Sequence, residues 1–170
     1  MKRIIILALL TAAPPGAAGV LGGDAPACTG GNGPAVLAQI TGLKDRKGEL
    51  KLELYPANED DFLKDDRDLV REGKLFRRVR ATIPAAGPVA MCMRVPRPGR
   101  YAIVFTHDRD GKNKFSIWSD GAGFASNQKL GRSRPKLRHA TIEVPAGVTR
   151  VRMRAQYLRG IGGFSPAEDS

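Results

Sequence analysis

The sequence predicts an all-β protein: a seven-stranded antiparallel sandwich with one short helical excursion and one long loop. Three observations carry this reading. Apolar and polar residues alternate with period two in seven short segments, as half-buried strands do. Glycine and proline turns separate most of those segments at sandwich-like spacing. Neither an internal repeat nor a glycine-rich phosphate loop interrupts the pattern.

The 170 residues suit one domain. The chain opens MKRIIILALLTAAPPGAAG. Lys2 and Arg3 give a basic start, Ile4 to Ala13 an apolar run, Pro14 to Gly16 a break, and Ala17, Ala18 and Gly19 small residues. This is the layout of a secretory signal peptide over residues 1–19, with cleavage expected between about residues 18 and 28. A bilayer span needs roughly 20 apolar residues, so the run is too short to cross a membrane, and no later segment is apolar enough. Residues 20–34, rich in Gly, Pro and Ala, read as a flexible linker, residues 35–158 as the β-sandwich domain, and residues 159–170 as a disordered tail.

Within the domain, Val36, Ala38 and Ile40 form the first inward face. Asp45 to Gly48 reads as a short hairpin loop. Leu50, Leu52 and Leu54 then alternate with Glu49, Lys51 and Glu53. The acidic stretch from Asn58 to Asp66 breaks the pattern. Asn58 is placed to cap a helical turn whose first-turn acids match the helix dipole, with Phe62 and Leu63 pinning it down. Strands resume with Val79, Ala81 and Ile83 inward, and again with Val89, Met91, Met93 and Val95. Tyr101 to Thr106 is nearly continuous and apolar, suited to the middle of a sheet. A long excursion, 107–137, separates it from Ala140, Ile142 and Val144. The last strand runs from Val148 to Tyr157, with Val151, Met153 and Ala155 inward.

Lysine and arginine number 28 against 17 acids, a net charge of +11. Such a charge favours anionic surfaces. For an exported protein the expected partners are anionic envelope polymers or lipid headgroups, and not nucleic acid. Arg78 and Arg80 share one strand face, and Arg150, Arg152 and Arg154 share another. If those strands are neighbours, the five form one basic patch whose mutual repulsion an anion relieves. Otherwise they are an ordinary polar outer face.

Two cysteines, Cys28 and Cys92, in an exported chain are most simply a disulfide, here tying the N-terminal lead to a central strand. The rival is a lipid anchor on Cys28, although Ala25 stands where the usual leucine of an acylation site would be.

The order ITGLKDRKGELKLELYP, DDFLKDDRDLVREG, VPRPGRYAIVFTHDRDGKNKF and SDGAGFASNQKLGRSRPKLRHATIEV resembles the uncharacterised bacterial exported family DUF2141 across roughly residues 35–157. The resemblance implies a transthyretin-like or immunoglobulin-like sandwich and no particular activity. It also implies that THDRDGKNKF descends from a calcium-like loop. Asp108 and Asp110 keep its first and third positions, and Ser116 stands at the ninth. Lys112 occupies the fifth, Asn113 replaces the bending glycine, and Ser119 stands where a bidentate glutamate would be needed. The loop therefore reads as a degenerate site whose aspartates accept backbone N–H groups in a turn. No metal and no cofactor are expected.

His107 and His139 are the only histidines, too few for a zinc site. No G-x-S-x-G elbow is present. The chain reads as not an enzyme. The excursion is longer than ordinary connections and carries Phe115, Trp118 and Phe124 beside Asn127, Gln128, Lys129, Arg132 and Arg134. Either its own aromatics fold it against the sandwich, or it forms a binding lip, with His107 at its base as a candidate ligand residue. The expected function is an exported, non-enzymatic module of the bacterial envelope or periplasm with a binding or structural role. The alternative is a small-ligand carrier or sensor using the aromatic loop.

Overall fold

A computed structural model describes residues 19–31 and 33–166. The signal-peptide reading falls almost wholly on residues outside that range. Among the described residues no helix is long and apolar enough to cross a membrane.

The protein is mostly β, with two sheets and a few short helices. A three-stranded sheet has the order β4 (Val89–Arg94), β1 (Ala35–Thr41), β8 (Val148–Arg154). The larger sheet has the order β10 (Phe164–Pro166), β9 (Gln156–Leu158), β6 (Gly121–Phe124), β5 (Gly99–Asp108), β2 (Glu49–Pro56), β3 (Arg77–Thr82). Its seventh strand, β7 (Thr141–Val144), pairs with the first half of β5. The sheets bury the alternating residues of both between them. Val36, Ala38 and Ile40 meet Leu50, Leu52, Leu54, Ile103 and Phe105, closed by Met91, Met93, Val151 and Met153. At roughly 25 cal/mol per Å² of apolar area, this shared core is the main stabilising term.

Several expectations are corrected. The described residues form ten strands, not seven, and the pattern is not wholly antiparallel, because β1 pairs with β8 in parallel. These two strands lie far apart in the chain, so no tight turn dictates their direction. The loop 45–48 is not a hairpin; it carries the chain from the small sheet to the large one. Its Gly48 has φ 72°, and a Cβ there would come within 2.0 Å of the Asp108 carbonyl oxygen.

The expected last strand is two. At Ala155, which turns into the core and donates its N–H to the Thr41 carbonyl, the chain leaves the small sheet. Gln156 then pairs with Ala122 in the large one. Period two continues through this switch, so alternation alone cannot reveal it.

The proposed linker is in part ordered. Leu21 bridges to Met91, and α1 (Ala25–Thr29) lies against β4 and β1. Cys28 is bridged to Cys92, with Cα atoms 5.9 Å apart. The bridged strand β4 is an edge strand, not a central one, and the bridge occupies the sulfur that a lipid anchor would need. The expected disordered tail contains β10, held against β9.

The helical excursion is real but starts later than Asn58. That side chain closes a turn on the Asp61 N–H, while Asp65 caps α2 (Asp66–Arg71) by accepting from Arg67 N. Phe62 and Leu69 pin this segment to the outer face of the large sheet.

Candidate ligand cavity

Pairing in the large sheet fixes which side chains share its outer face. One row across the strands reads Arg80, Lys51, Thr106, Ala122, Gln156. The next reads Arg78, Glu53, Val104, Phe124. Each row runs from charged residues on β3 and β2 to neutral or apolar ones on β5 and β6. Two excursions cover this face. Residues 57–76 lie over the charged end, with Tyr55 stacked edge-on between Phe62 and Phe76. The expected long loop 107–137 is interrupted by β6, and the segments on either side of that strand, 109–120 and 125–140, lie over the apolar end. Gln156 ties them down by accepting from Leu130 N and donating to the Gln128 carbonyl.

Between the two covers lies a cavity of about 690 Å³, within the usual size of small-molecule sites. Its floor is Glu53, Tyr55, Val104, Thr106, Ala122 and Phe124. Phe115, Ile117, Leu130 and Phe164 form the apolar wall, and Leu63, Lys64, Asp65 and Asp66 the wall opposite. Arg132 and Arg134 stand at its edge, both exposed.

The charges at the floor are paired, as buried charges must be. Arg78 donates to Glu53 at 2.6 Å and to Asp66 at 2.7 Å, with its guanidinium over the Phe76 ring. Tyr55 donates its hydroxyl to Glu53 at 2.9 Å. Burial and that carboxylate push the Tyr55 phenol well above its ordinary range, so it remains a neutral donor. Lys51 is ion-paired with Asp108 and lies 3.6 Å from Glu49.

The residues singled out from the sequence are distributed unevenly. Phe115, Phe124, Arg132 and Arg134 line the cavity. Phe124 is a buried part of its floor, not of an exposed lip. Trp118 stands beside the cavity and is 81% exposed. His107 and Asn127 do not belong to it. Asn127 bonds the edge of β8, donating to the Arg152 carbonyl and accepting from Arg154 N.

His107 is fully buried on the other face of β5. Its Nε2 lies 2.7 Å from the Lys47 carbonyl, which can only accept, so Nε2 carries the hydrogen. Nδ1 then accepts from the Tyr157 hydroxyl at 2.7 Å, and that hydroxyl accepts from Lys44 N. Burial pushes the His107 pKa down and the Tyr157 phenol up to about 12, so both stay neutral near pH 7.

The loop THDRDGKNKF is a carboxylate knot. Asp108 accepts from Gly111 N and Asn113 N, and Asp110 from Lys112 N. Asp120, which the sequence reading passed over, accepts from Arg109 N and Ser116 N. One carboxylate oxygen from each of Asp108, Asp110 and Asp120 lies within 4.8 Å of the others. Ser116 is thus engaged through its backbone N–H, and Lys51 and Lys112 reach Asp108 and Asp110.

The two arginine rows are not one patch. Arg78 and Arg80 lie on β3 of the large sheet, paired with Glu53, Asp66 and Glu49. Arg150, Arg152 and Arg154 lie on β8 of the small sheet. Inward alternation on each strand was legible, but sheet membership was not.

Sequence reasoning missed Lys51, Glu53, Tyr55 and Thr106 as cavity floor. Lys51 and Glu53, alternating with leucines, looked like an ordinary solvent face, and Thr106 like the end of a continuous apolar strand. The available signal was that both long excursions flank the same strands.

No curated protein and no solved structure matches this chain. A family model, described as an uncharacterized protein conserved in bacteria, matches residues 38–152. That span runs from Ala38 within β1 to Arg152 within β8 and includes both covers of the cavity. The chain belongs to the bacterial family DUF2141.

Proposed function

We propose that this chain is an exported, non-enzymatic binding module whose site is the cavity on the outer face of the large sheet. The ligand class that fits is a small amphipathic molecule with an anionic head. One observation carries this reading: the cavity has an apolar end built from Val104, Phe115, Phe124 and Phe164, and exposed Arg132 and Arg134 at its edge. An apolar body gains by burial in the first, and an anionic head gains charge-assisted hydrogen bonds at the second. The Cys28–Cys92 bridge supports export, since such bridges persist in oxidising compartments. The histidines support binding over catalysis. His107 has both ring nitrogens engaged in the interior, and His139 Nδ1 accepts from Lys136 N. In this reading the paired sheets serve as a transthyretin-like or immunoglobulin-like frame, and the excursions supply the specificity.

The test is a calorimetric titration with dodecanoate. Thr106 faces the cavity from β5, so Thr106→Phe fills the space while keeping the sheet intact. One binding site on the parent, weakened about tenfold or more in the variant, is expected. No heat of binding, or equal binding by both proteins, would refute the reading.

A second reading has its own observation. Arg150 and Arg152 are exposed on edge strand β8, and neither has a carboxylate partner among the described residues. They favour an anionic envelope polymer at the small sheet. Dextran sulfate binding that is lost in Arg150→Gln/Arg152→Gln would select it.

A further inference from the structure

Three segments come together along one side of the cavity: 112–118, 129–135 and 158–164. Phe115 and Phe164 hold their rings 6.1 Å apart, Gly131 pairs with Phe164, and Arg132 donates to the Ile161 carbonyl at 2.7 Å. In sequence these segments contain Lys112, Lys114, Lys129, Arg132, Arg134 and Arg159, and no aspartate or glutamate. All six cations are exposed.

The same rim exposes apolar side chains that a water-facing loop has no reason to show. Trp118 is 81% and Ile161 87% exposed, and Phe115 and Ile117 are nearly half exposed. Val70, on α2, is the other large hydrophobic exposed among the described residues. The opposite rim differs in charge: Asp65 and Asp66 stand there, paired with Arg67 and Arg78.

We propose that this rim docks the protein on an anionic lipid bilayer. A tryptophan and an isoleucine set among lysines and arginines is the composition that settles at a headgroup boundary. The apolar side chains enter the acyl edge and the cations hold the phosphates. A soluble polyanion would use the cations but leave the apolar tips without a function, so the bilayer accounts for both features. Docked in this way, the molecule turns the open side of its cavity toward the lipid. That last consequence rests on the function proposed above, while the docking stands on the rim alone.

The experiment is co-sedimentation with vesicles of phosphatidylglycerol and phosphatidylcholine, against vesicles of phosphatidylcholine alone. Trp118 is the only tryptophan, so its emission reports the rim directly. The expected result is binding to the anionic vesicles with a blue shift of Trp118 emission. Binding should weaken as salt rises. It should fall about tenfold or more in Trp118→Ser/Ile161→Ser, followed by sedimentation. Both positions are exposed, so an unchanged melting temperature will confirm that this variant is folded.

Three results would overturn the proposal. One is absence of binding to anionic vesicles. Another is binding that the double substitution leaves intact. The third is equal binding to dextran sulfate with no change in Trp118 emission, which would assign the rim to a polymer. The two readings fail separately: docking should survive Thr106→Phe, and a parent protein that docks on the vesicles but gives no heat with dodecanoate loses the cavity function alone.

Discussion

Leu50, Leu52 and Leu54 point from β2 toward the small sheet, and Lys51, Glu53 and Tyr55 point from the same strand to the other side. All six are buried. The inner side of β2 is apolar and is closed by a second sheet. The outer side carries ion pairs beside an apolar floor, and loops close it imperfectly over a cavity. Burying charge costs several kcal/mol per ion and is often no better for stability than a well-packed apolar substitute. The inner face therefore accounts for stability. The outer face keeps features that stability alone does not call for, and there the proposed binding site lies.

The largest expected effect sets the two faces side by side. Leu52→Ala empties a filled position in the inner core and should cost about 4 kcal/mol. Leu130→Ala makes the same deletion next to space that is already open, and should cost less than half as much. Urea unfolding of both variants measures the contrast. Equal costs would mean that the outer face is packed like the inner one and that the cavity closes in solution.

The next effect probes the outer charges. Asp108→Ala leaves buried Lys51 with only Glu49 at 3.6 Å and also releases Gly111 N and Asn113 N. A loss of about 3 kcal/mol is expected, again by urea unfolding. A change within about 0.5 kcal/mol would place Lys51 in water and weaken the account of the outer face as desolvated.

A smaller effect belongs to the inner face and to pH. The folded pKa of His107 lies below its ordinary value of about 6.5. As pH falls, the unfolded chain takes up the proton first. The stability held by the neutral ring is complete above about pH 6.5 and is lost as pH drops toward the folded pKa, by at most about 1.4 kcal/mol per pH unit. His107→Gln should flatten the slope of unfolding free energy between about pH 6.5 and 5. An unchanged slope would mean that the ring is protonated in the folded protein. His139, pushed down by burial and then by the Arg138 and Lys136 charges, adds to the slope in the same direction.

How much of this was legible in the sequence depended on which periodicity reported it. Alternation reports which side of a strand meets the core, so the inward residues of β1, β2, β4 and β8 were readable. It says nothing about which sheet a strand joins. That is why the turn at Ala155 and the separation of Arg78 and Arg80 from Arg150 and Arg152 were not. Composition reported the unusual excursion through Phe115, Trp118 and Phe124, but not that Lys51, Glu53 and Tyr55 lie beneath the covers. A polar residue under a loop and one in water look alike in sequence. Asp120 escaped notice because its role is set by where Gly121 starts β6, not by spacing from Asp108.

The most direct test of the central claim is a methyl NMR titration with dodecanoate. The reporters are Leu63, Val104, Ile117 and Leu130 on the outer face, and Leu50, Leu52, Leu54 and Ile103 on the inner face. The outer methyls are expected to shift and saturate together at one equivalent while the inner methyls stay within their line widths. Shifts concentrated among the inner methyls, or none on either face, would contradict that claim.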